Sequence, residues 1–311
     1  MAVLALDLGG TKLASAIFSN EGEILSRHSL TLDGRTGSEA GALIKSTIQH
    51  FLESGIIDSI GIAVPGICHQ HSGTVWVPNI AGWDDYPLIN ELESVSKGIP
   101  VAMDSDRACS ILGEWWKGNA GDCSDAIFMA VGTGIGAGIL IDGKILRGAN
   151  DIAGAIGWMA LNKPFEEKYI SCGNFEYHAS GEGIAKITRE WLVKHESYVG
   201  PLRNISSERI NAHDLFRAYD ARDELAIKVI EECISYWGMA TANLVSIFNP
   251  EKIIFGGGVF GPAIPLIPQI QKEGAKWAQP ISISRVKYEP SALGADAALY
   301  GAASLNLHSK I

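Results

Sequence analysis

The feature that most constrains the fold of this chain is an internal repeat. Residues 4–25 read as an apolar strand, a Gly/Thr turn, a second strand, a glycine hairpin and a third strand, and residues 128–146 repeat this order. A repeated unit of this size predicts two related α/β domains that face each other, because a solenoid would need several shorter repeats.

Apolar periodicity and turn residues predict the other elements. The predicted strands cover residues 59–64, 101–103, 252–255 and 281–286. The predicted helices cover residues 38–53, 106–117 and 224–248, with a closing small-residue helix over 291–305.

Glycine is abundant, with 35 residues in 311, and it clusters directly after predicted strands. The three clusters are Gly9-Gly10-Thr11-Lys12, Gly132-Thr133-Gly134 and Gly256-Gly257-Gly258. Glycine lets bare backbone N–H groups approach an anion closely, and threonine adds a hydroxyl donor. Hairpins and close packing also need glycine, so one cluster alone is weak evidence. Three clusters, two of them within the repeat, predict a phosphate-binding site.

Two known nucleotide motifs do not account for these glycines. The P-loop pattern is absent from the chain. A GxGxxG pattern occurs at Gly256, Gly258 and Gly261, but no acidic residue follows at the strand end that a dinucleotide site requires. We therefore do not interpret it as a dinucleotide fingerprint.

Three aspartates are candidates for chemistry. Asp7 ends the first strand, where a carboxylate could hold Mg²⁺ beside phosphates. Asp106 follows a strand and begins a helix, so it is the candidate general base. Aspartate at a helix start is also a common N-cap, and Asp104 competes for either role.

Composition excludes several partners. Lys plus Arg is 25 and Asp plus Glu is 35, and a net charge of −10 disfavours nucleic acid and anionic membranes. The five cysteines include no CxxC pair, which favours a reducing compartment. We find no signal peptide, and the longest uncharged run is too short to span a bilayer. These features predict a cytoplasmic protein.

Six segments, in order along the chain, resemble motifs of the ROK family of bacterial sugar kinases. They are LALDLGGTKLASAIF, IGIAVPGICHQHSGTVWVPNIAGW, VAMDSDRACSILGE, MAVGTGIGAGILIDGKILRGAN, FNPEKIIFGGGVF and ALGADAALYGAA. The resemblance implies an α/β fold with two actin-like (ribonuclease H-like) domains and a cleft between them. It implies a first domain over 1–116 plus 291–311 and a second over 117–290.

The resemblance also implies an activity, which is ATP- and Mg²⁺-dependent phosphorylation of a sugar hydroxyl. Asp106 matches the catalytic aspartate, and the glycine clusters match the nucleotide motifs. The matching positions for sugar contact are Gly66, Asn79, Ser105, Asp106, Trp158 and Glu176. Members of the family are often homodimers, so a homodimer is expected.

The chain departs from the family pattern at the sugar site. Ser105 replaces the usual Asn, and Ala155 and Trp158 replace a Glu and a His. The zinc segment is shortened to one thiol, Cys172, so we expect no structural zinc. Loss of polar contacts weakens discrimination for a hydroxyl, and Trp158 could stack on a sugar face or an acyl group. We therefore expect a modified sugar, such as an N-acylated or deoxy hexose, rather than plain glucose.

Two alternatives come from other classes of protein. The degraded sugar motif fits a catalytically weak sugar-binding sensor, although the retained Asp106 and three glycine clusters oppose it. A DNA-binding repressor of the same family would carry a helix-turn-helix before the first motif. Here the first strand starts at residue 3, and the negative charge opposes DNA binding.

Overall fold

A computed structural model describes residues 2–53 and 55–307. The strands are β1 (Ala2–Leu8), β2 (Lys12–Ser19), β3 (Ile24–Thr31), β4 (Ile57–Val64), β5 (Ile67–His69), β6 (Thr74–Trp76), β7 (Val101–Ser105), β8 (Ala126–Val131), β9 (Ile135–Ile141), β10 (Lys144–Ile145), β11 (Lys252–Gly256) and β12 (Lys287–Pro290). The helices are α1 (Gly37–Leu52), α2 (Leu88–Glu93), α3 (Asp106–Lys117), α4 (Asn174–Ala179), α5 (Gly181–Lys194), α6 (Ala212–Asp220), α7 (Glu224–Phe248), α8 (Ile267–Gly274), α9 (Pro280–Ile283) and α10 (Ala297–Ser304).

The chain divides into two compact units. The first contains the residues up to Asp122, the segment Ile145–Ala153 and the residues from Ala295 onward. The second contains Cys123–Lys144 and Gly154–Gly294. These units differ from the predicted domains chiefly at Ile145–Ala153, which packs with the first unit although its neighbours in sequence belong to the second. The domain boundaries of the sequence analysis stay a prediction.

Each unit is built on a five-stranded sheet of the same topology. The strand orders are β3-β2-β1-β4-β7 and β10-β9-β8-β11-β12. The first strand of each copy pairs antiparallel with the next strand and parallel with a later one. Such central strands are buried on both faces, which explains their nearly continuous apolar sequences. The predicted repeat and the α/β fold class are confirmed.

Small residues bring α10 against α3 in the first unit. A Cβ at Gly301 would lie 1.7 Å from the carbonyl oxygen of Cys109, and a Cβ at Gly113 would lie 2.1 Å from that of Ala297. Only glycine allows backbones this close. This contact fixes α3, whose first residue is Asp106.

The long helix α7 has the bounds predicted for it. Asp223 caps its start, accepting hydrogen bonds from the backbone N–H groups of Leu225 and Ala226. Asn249 ends it in the left-handed conformation, with φ of 47°. A polar cap and a left-handed C-terminal residue before a proline are ordinary helix boundaries.

The prediction of a strand over 281–286 is wrong. Pro280 begins the short helix α9, and the Gln279 side chain accepts hydrogen bonds from the N–H groups of Ile281 and Ser282, both at 2.8 Å. The strand follows at Lys287–Pro290. The closing helix is also shorter than predicted, since a 3₁₀ turn at Gly294–Asp296 precedes it.

Among the residues that the structure describes, no helix combines the length and the apolar character needed to cross a membrane.

Candidate active site

Asp106 lies where β7 passes into α3, and it is not the N-cap of that helix. Ser105 is the cap, since its Oγ accepts a hydrogen bond from the N–H of Ala108 at 3.2 Å. Asp106 is the first helical residue, and its Oδ1 accepts from the N–H of Arg107 at 2.8 Å. Burial raises the pKa of Asp106, while the charge and N–H of Arg107 oppose that rise. The carboxyl can therefore gain and lose a proton above the usual range of an aspartate.

Asp104, the competing candidate, has its carboxylate engaged in other contacts. It pairs with Arg147 at 2.5 Å and accepts from the N–H of Ser105 at 2.8 Å. Its side chain is 5% exposed. These contacts leave Asp106 as the better candidate for a base that meets a substrate.

Arg107 contributes to the surroundings of Asp106, a role that was not predicted from the sequence. Its Nη2 donates to the carbonyl oxygen of Gly66 at 3.0 Å. Gly66 has a φ of 102°, and a Cβ there would lie 2.2 Å from the carbonyl oxygen of Trp76, so the position requires glycine. The structure thus brings the predicted residue Gly66 next to Asp106 through Arg107. The only signal in the sequence was a cation directly after the candidate base.

Asp7 lies near the end of β1, and the charge of Asp106 affects its pKa. Its pKa is raised to about 7, mainly by burial and next by the charge of Asp106, while Lys12 opposes the rise. A carboxylate whose pKa is raised by burial and by a nearby negative charge is stabilised in its ionised form by a bound cation. Mg²⁺ binds through one or two carboxylates together with phosphate and water oxygens, so Asp7 suits it.

No group of three or more His, Cys, Asp or Glu side chains within residues 2–53 and 55–307 is arranged to hold a metal. A site for Mg²⁺ on a bound nucleotide does not need such a cage, because phosphates supply part of the ligand set.

The first glycine cluster forms the turn between β1 and β2. The N–H of Gly9 donates to the carbonyl oxygen of Lys12 at 2.8 Å, which closes the turn. Gly10, Thr11 and Lys12 are exposed. Their backbone and side-chain donors are therefore accessible to a ligand.

The second and third clusters lie together in the second unit. Gly132, Thr133 and Gly134 form the turn between β8 and β9, and Gly256, Gly257 and Gly258 follow at the end of β11. Gly257 has a φ of 87°, and a Cβ there would lie 2.5 Å from the carbonyl oxygen of Val131, directly before Gly132. The structure thus brings together two clusters that are far apart in the sequence.

Each cluster contains one glycine at a position where the fold would also accommodate a residue with a side chain. At Gly10, Gly132 and Gly258 an added Cβ would meet no atom within 4 Å, and φ is not positive. Gly136 and Gly138 apart, the other glycines have a positive φ or would place a Cβ too close to a neighbouring atom, except Gly121 and Gly261, where the nearest atom would lie 3.4 and 3.5 Å away. Gly10 and Gly258 are exposed and Gly132 is partly exposed. Glycine at these positions leaves open space beside the backbone, which suits a ligand that approaches closely.

Glu176 lies on α4 and reaches the second turn. Its Oε2 accepts from the N–H of Ile135 at 2.6 Å, and a Cβ at Gly134 would lie 2.7 Å from the same oxygen. Burial raises its pKa, and the Ile135 N–H opposes that rise. Trp158 ends the nearby 3₁₀ turn Ile156–Trp158 and is 57% exposed. A Cβ at Gly157 in that turn would lie 3.0 Å from Glu176, so the two segments pack closely.

Asn79 and Ser105, two further predicted sugar contacts, differ in exposure. Asn79 is exposed in a turn. Two backbone hydrogen bonds maintain this turn, from the N–H of Val77 to the carbonyl oxygen of Trp83 and from the N–H of Ile80 to that of Val77. Ser105 is buried and serves as the helix cap described above. A capping hydroxyl still has its own hydrogen to donate, so a sugar contact remains chemically available.

The two repeated sheets, with glycine turns and an aspartate at strand ends, define the class of this protein: an actin-like α/β fold of the kind found in sugar kinases. The model of the ROK family matches residues 3–309. The chain belongs to the ROK family.

Individual relatives agree with this membership. The chain is 32% identical over 307 residues to a glucokinase of Halalkalibacterium halodurans, covering 96% of this chain and 92% of that one. It is 30% identical over 262 residues to a beta-glucoside kinase of Listeria monocytogenes, covering 83% of each. The solved ROK family glucokinase of Streptomyces griseus, in complex with glucose and AMPPNP, has a TM-score of 0.82 at 26% identity, covering 98% of this chain and 99% of that one. Similar sequences in this family also include repressors, a xylose repressor among them.

Proposed function

We propose that this chain is an ATP-dependent sugar kinase that transfers the γ-phosphoryl group of ATP to a sugar hydroxyl. The observation that carries the proposal is the set of three glycines, Gly10, Gly132 and Gly258, which the packing of the chain does not require. Space kept free beside backbone N–H groups suits phosphate oxygens, because an added side chain would exclude them. Similarity to a glucokinase and a beta-glucoside kinase supports the same class of reaction.

Asp106 would act as the general base. The sugar hydroxyl loses its proton to the carboxylate as its oxygen bonds to the γ-phosphorus, and the bond from phosphorus to the bridging oxygen breaks to release ADP. Phosphoryl transfer requires mainly positioning and charge stabilisation, so one base and several N–H donors suffice for the protein's part. Mg²⁺, when bound, would neutralise phosphate charge, and Asp7 is the residue we assign to it.

The nucleotide-binding residues in this proposal are the three glycine clusters with Thr11, Lys12 and Thr133. The sugar-binding residues are Gly66, Asn79, Ser105, Asp106, Trp158 and Glu176. Glu176 supports this assignment because only its Oε2 is engaged, by the Ile135 N–H. Its Oε1 accepts no hydrogen bond from the described part of the chain, so it is available to a sugar hydroxyl.

The substrate we propose is a modified hexose, such as an N-acylated sugar. Ala155 offers a methyl group where a glutamate would bind hydroxyls, and the indole of Trp158 is exposed. An exposed indole stacks well on a sugar face or an acyl group. The similarity to glucokinases makes glucose the reference substrate against which this proposal is tested. Homodimer formation and a cytoplasmic location stay predictions of the sequence.

A panel assay tests the proposal. ADP release is measured with ATP and Mg²⁺ across hexoses, N-acetylhexosamines and deoxy sugars, using the wild-type chain and Asp106→Asn. We expect release with at least one sugar, and a loss of about 10²- to 10⁴-fold in Asp106→Asn, as for a removed general base. Sugar binding by calorimetry without ADP release from any sugar would instead identify the sensor. Glucose as by far the best substrate would reject the modified hexose while retaining the kinase.

A further inference from the structure

The second unit contains a chain of polar side chains, two of them buried and Glu232 partly exposed, that the proposed chemistry does not use. The hydroxyl of Tyr169 lies 3.1 Å from Nε2 of His178, and Nδ1 of His178 lies 3.0 Å from Oε1 of Glu232. Tyr169 and His178 are 6% and 8% exposed. Buried polar groups of this kind are costly unless they are paired, so their arrangement is well determined.

Each end of this chain meets the carboxylate of a glutamate. The Tyr169 hydroxyl lies 2.9 Å from Oε1 of Glu166, to which it donates, as well as 3.1 Å from Nε2 of His178. A carboxylate can only accept, so Nδ1 of His178 donates to Glu232. The ring of His178 also stacks on Tyr236, with centroids 4.4 Å apart and planes 12° apart. Removing Tyr169 or Glu232 as a partner leaves one ring nitrogen of the buried His178 without its hydrogen bond.

The three residues come from three different segments. Tyr169 ends the 3₁₀ turn Glu167–Tyr169, His178 lies on α4, and Glu232 lies on the long helix α7. The helix α4 has only six residues, and Gly173 at its start supplies no side-chain cap. A helix this short is not stable by itself, so tertiary contacts must hold it in place.

Glu176 is on the same short helix, two positions before His178. Its Oε2 contacts the N–H of Ile135 at the end of the second glycine turn. A displacement of α4 would move Glu176 and this contact together. The position of the carboxylate at the glycine turn therefore depends on what holds α4.

We propose that the hydrogen-bonded chain Tyr169–His178–Glu232 positions Glu176 for the sugar and thereby sets sugar affinity. These are positioning residues, because they act through Glu176. The proposal rests on the proposed kinase function, in which Glu176 contacts the sugar.

Two single variants break the chain at its ends. Tyr169→Phe removes the hydroxyl that contacts Nε2 of His178, and Glu232→Ala removes the carboxylate that contacts Nδ1. We expect each variant to raise the KM for the sugar about fivefold, because the loss of one hydrogen bond weakens binding by about this factor. The kcat and the KM for ATP should change by less than about twofold. Glu232→Gln retains an acceptor oxygen and should recover most of the affinity.

Tyr198→Phe is the matched control. Tyr198 is also a buried tyrosine of the second unit whose hydroxyl donates to a carboxylate, that of Asp223 at 2.8 Å. Its partner Asp223 caps the start of α7, where it accepts from the N–H groups of Leu225 and Ala226. The control should lose stability without a change in the KM for the sugar. A rise in KM equal to that of Tyr169→Phe would overturn the proposal, because general destabilisation would then explain both.

Hydrogen–deuterium exchange gives a readout that does not depend on activity. In Tyr169→Phe and Glu232→Ala we expect faster exchange in peptides covering 132–136 and 174–179, and no change there in Tyr198→Phe. Unchanged exchange in the first two variants would overturn the positioning role even if the wild type is an active kinase. If the wild type shows no kinase activity but the exchange changes as expected, the proposed function fails and the structural link to Glu176 stands.

Discussion

Arg147 and Asp104 are 43 positions apart in the sequence, and Nη2 of Arg147 lies 2.5 Å from Oδ2 of Asp104. The same carboxylate accepts from the N–H of Ser105, directly before Asp106. Burial raises the pKa of Asp104, and the Arg147 guanidinium opposes that rise. The pair therefore favours an ionised carboxylate at the end of β7, where α3 and the candidate base begin.

Replacing Arg147 should destabilise the first unit. Arg147→Met leaves the buried Asp104 carboxylate without its cation. We expect the free energy of unfolding to fall by about 2 kcal/mol. This loss lies between those typical of exposed and of buried ion pairs, because Arg147 is partly exposed. Urea unfolding measures it. The double variant Asp104→Asn/Arg147→Met should recover much of the loss. Equal stability of wild type and Arg147→Met would show that the pair contributes nothing.

The pH dependence of catalysis should report Asp106. The base must be ionised to accept a proton, and burial raises its pKa. The acidic limb of kcat/KM should therefore lie above 3.8, the ordinary value for this side chain. Arg107→Met removes the nearby cation that lowers this pKa, so the limb should move to higher pH, whereas Arg107→Lys should move it less. A limb that stays in place in Arg107→Met would contradict the assignment of Asp106 as the base.

Glycine variants should separate ligand contact from packing. Gly10→Ala and Gly132→Ala add a methyl group to open space, so the melting temperature should stay within about 2 °C while the KM for ATP rises about tenfold or more. Gly301→Ala would place a Cβ 1.7 Å from the Cys109 carbonyl oxygen, so it should unfold or strongly destabilise the chain. Thermal melts and ATP titrations measure both effects. Unchanged ATP kinetics in Gly10→Ala and Gly132→Ala would remove the main support for nucleotide binding at these turns.

Sugar specificity should respond to the two departures from the family pattern. The double variant Ala155→Glu/Trp158→His restores a carboxylate and an imidazole where the resemblance implies sugar contacts. We expect the ratio of kcat/KM for glucose to kcat/KM for the preferred sugar to rise about tenfold. A change of this size corresponds to the binding energy of roughly one charge-assisted hydrogen bond. Trp158→Phe is the control, because it keeps an aromatic ring for stacking without adding a polar group. An unchanged ratio in the double variant would place the source of specificity elsewhere.

Local signals in the sequence account for most of the architecture. Apolar runs that end in glycine predicted the strands, and the repeat predicted two sheets that share one topology. The α7 boundaries followed from its apolar spacing and from Asn249-Pro250. The predicted strand at 281–286 failed because Gln279 and Pro280 start a helix there, and a short apolar run alone does not distinguish the two.

The sequence by itself determined the repeated sheets and the glycine turns after their strands, because each depends on neighbouring residues. Only the tertiary structure decided that Asp104 pairs with Arg147, that Ser105 rather than Asp106 caps α3, and that His178 joins Tyr169 to Glu232. It also distinguished Gly10, Gly132 and Gly258 from the glycines that packing or a positive φ requires. These features depend on which groups meet in space, and sequence spacing does not encode the distance between segments that fold together from far apart.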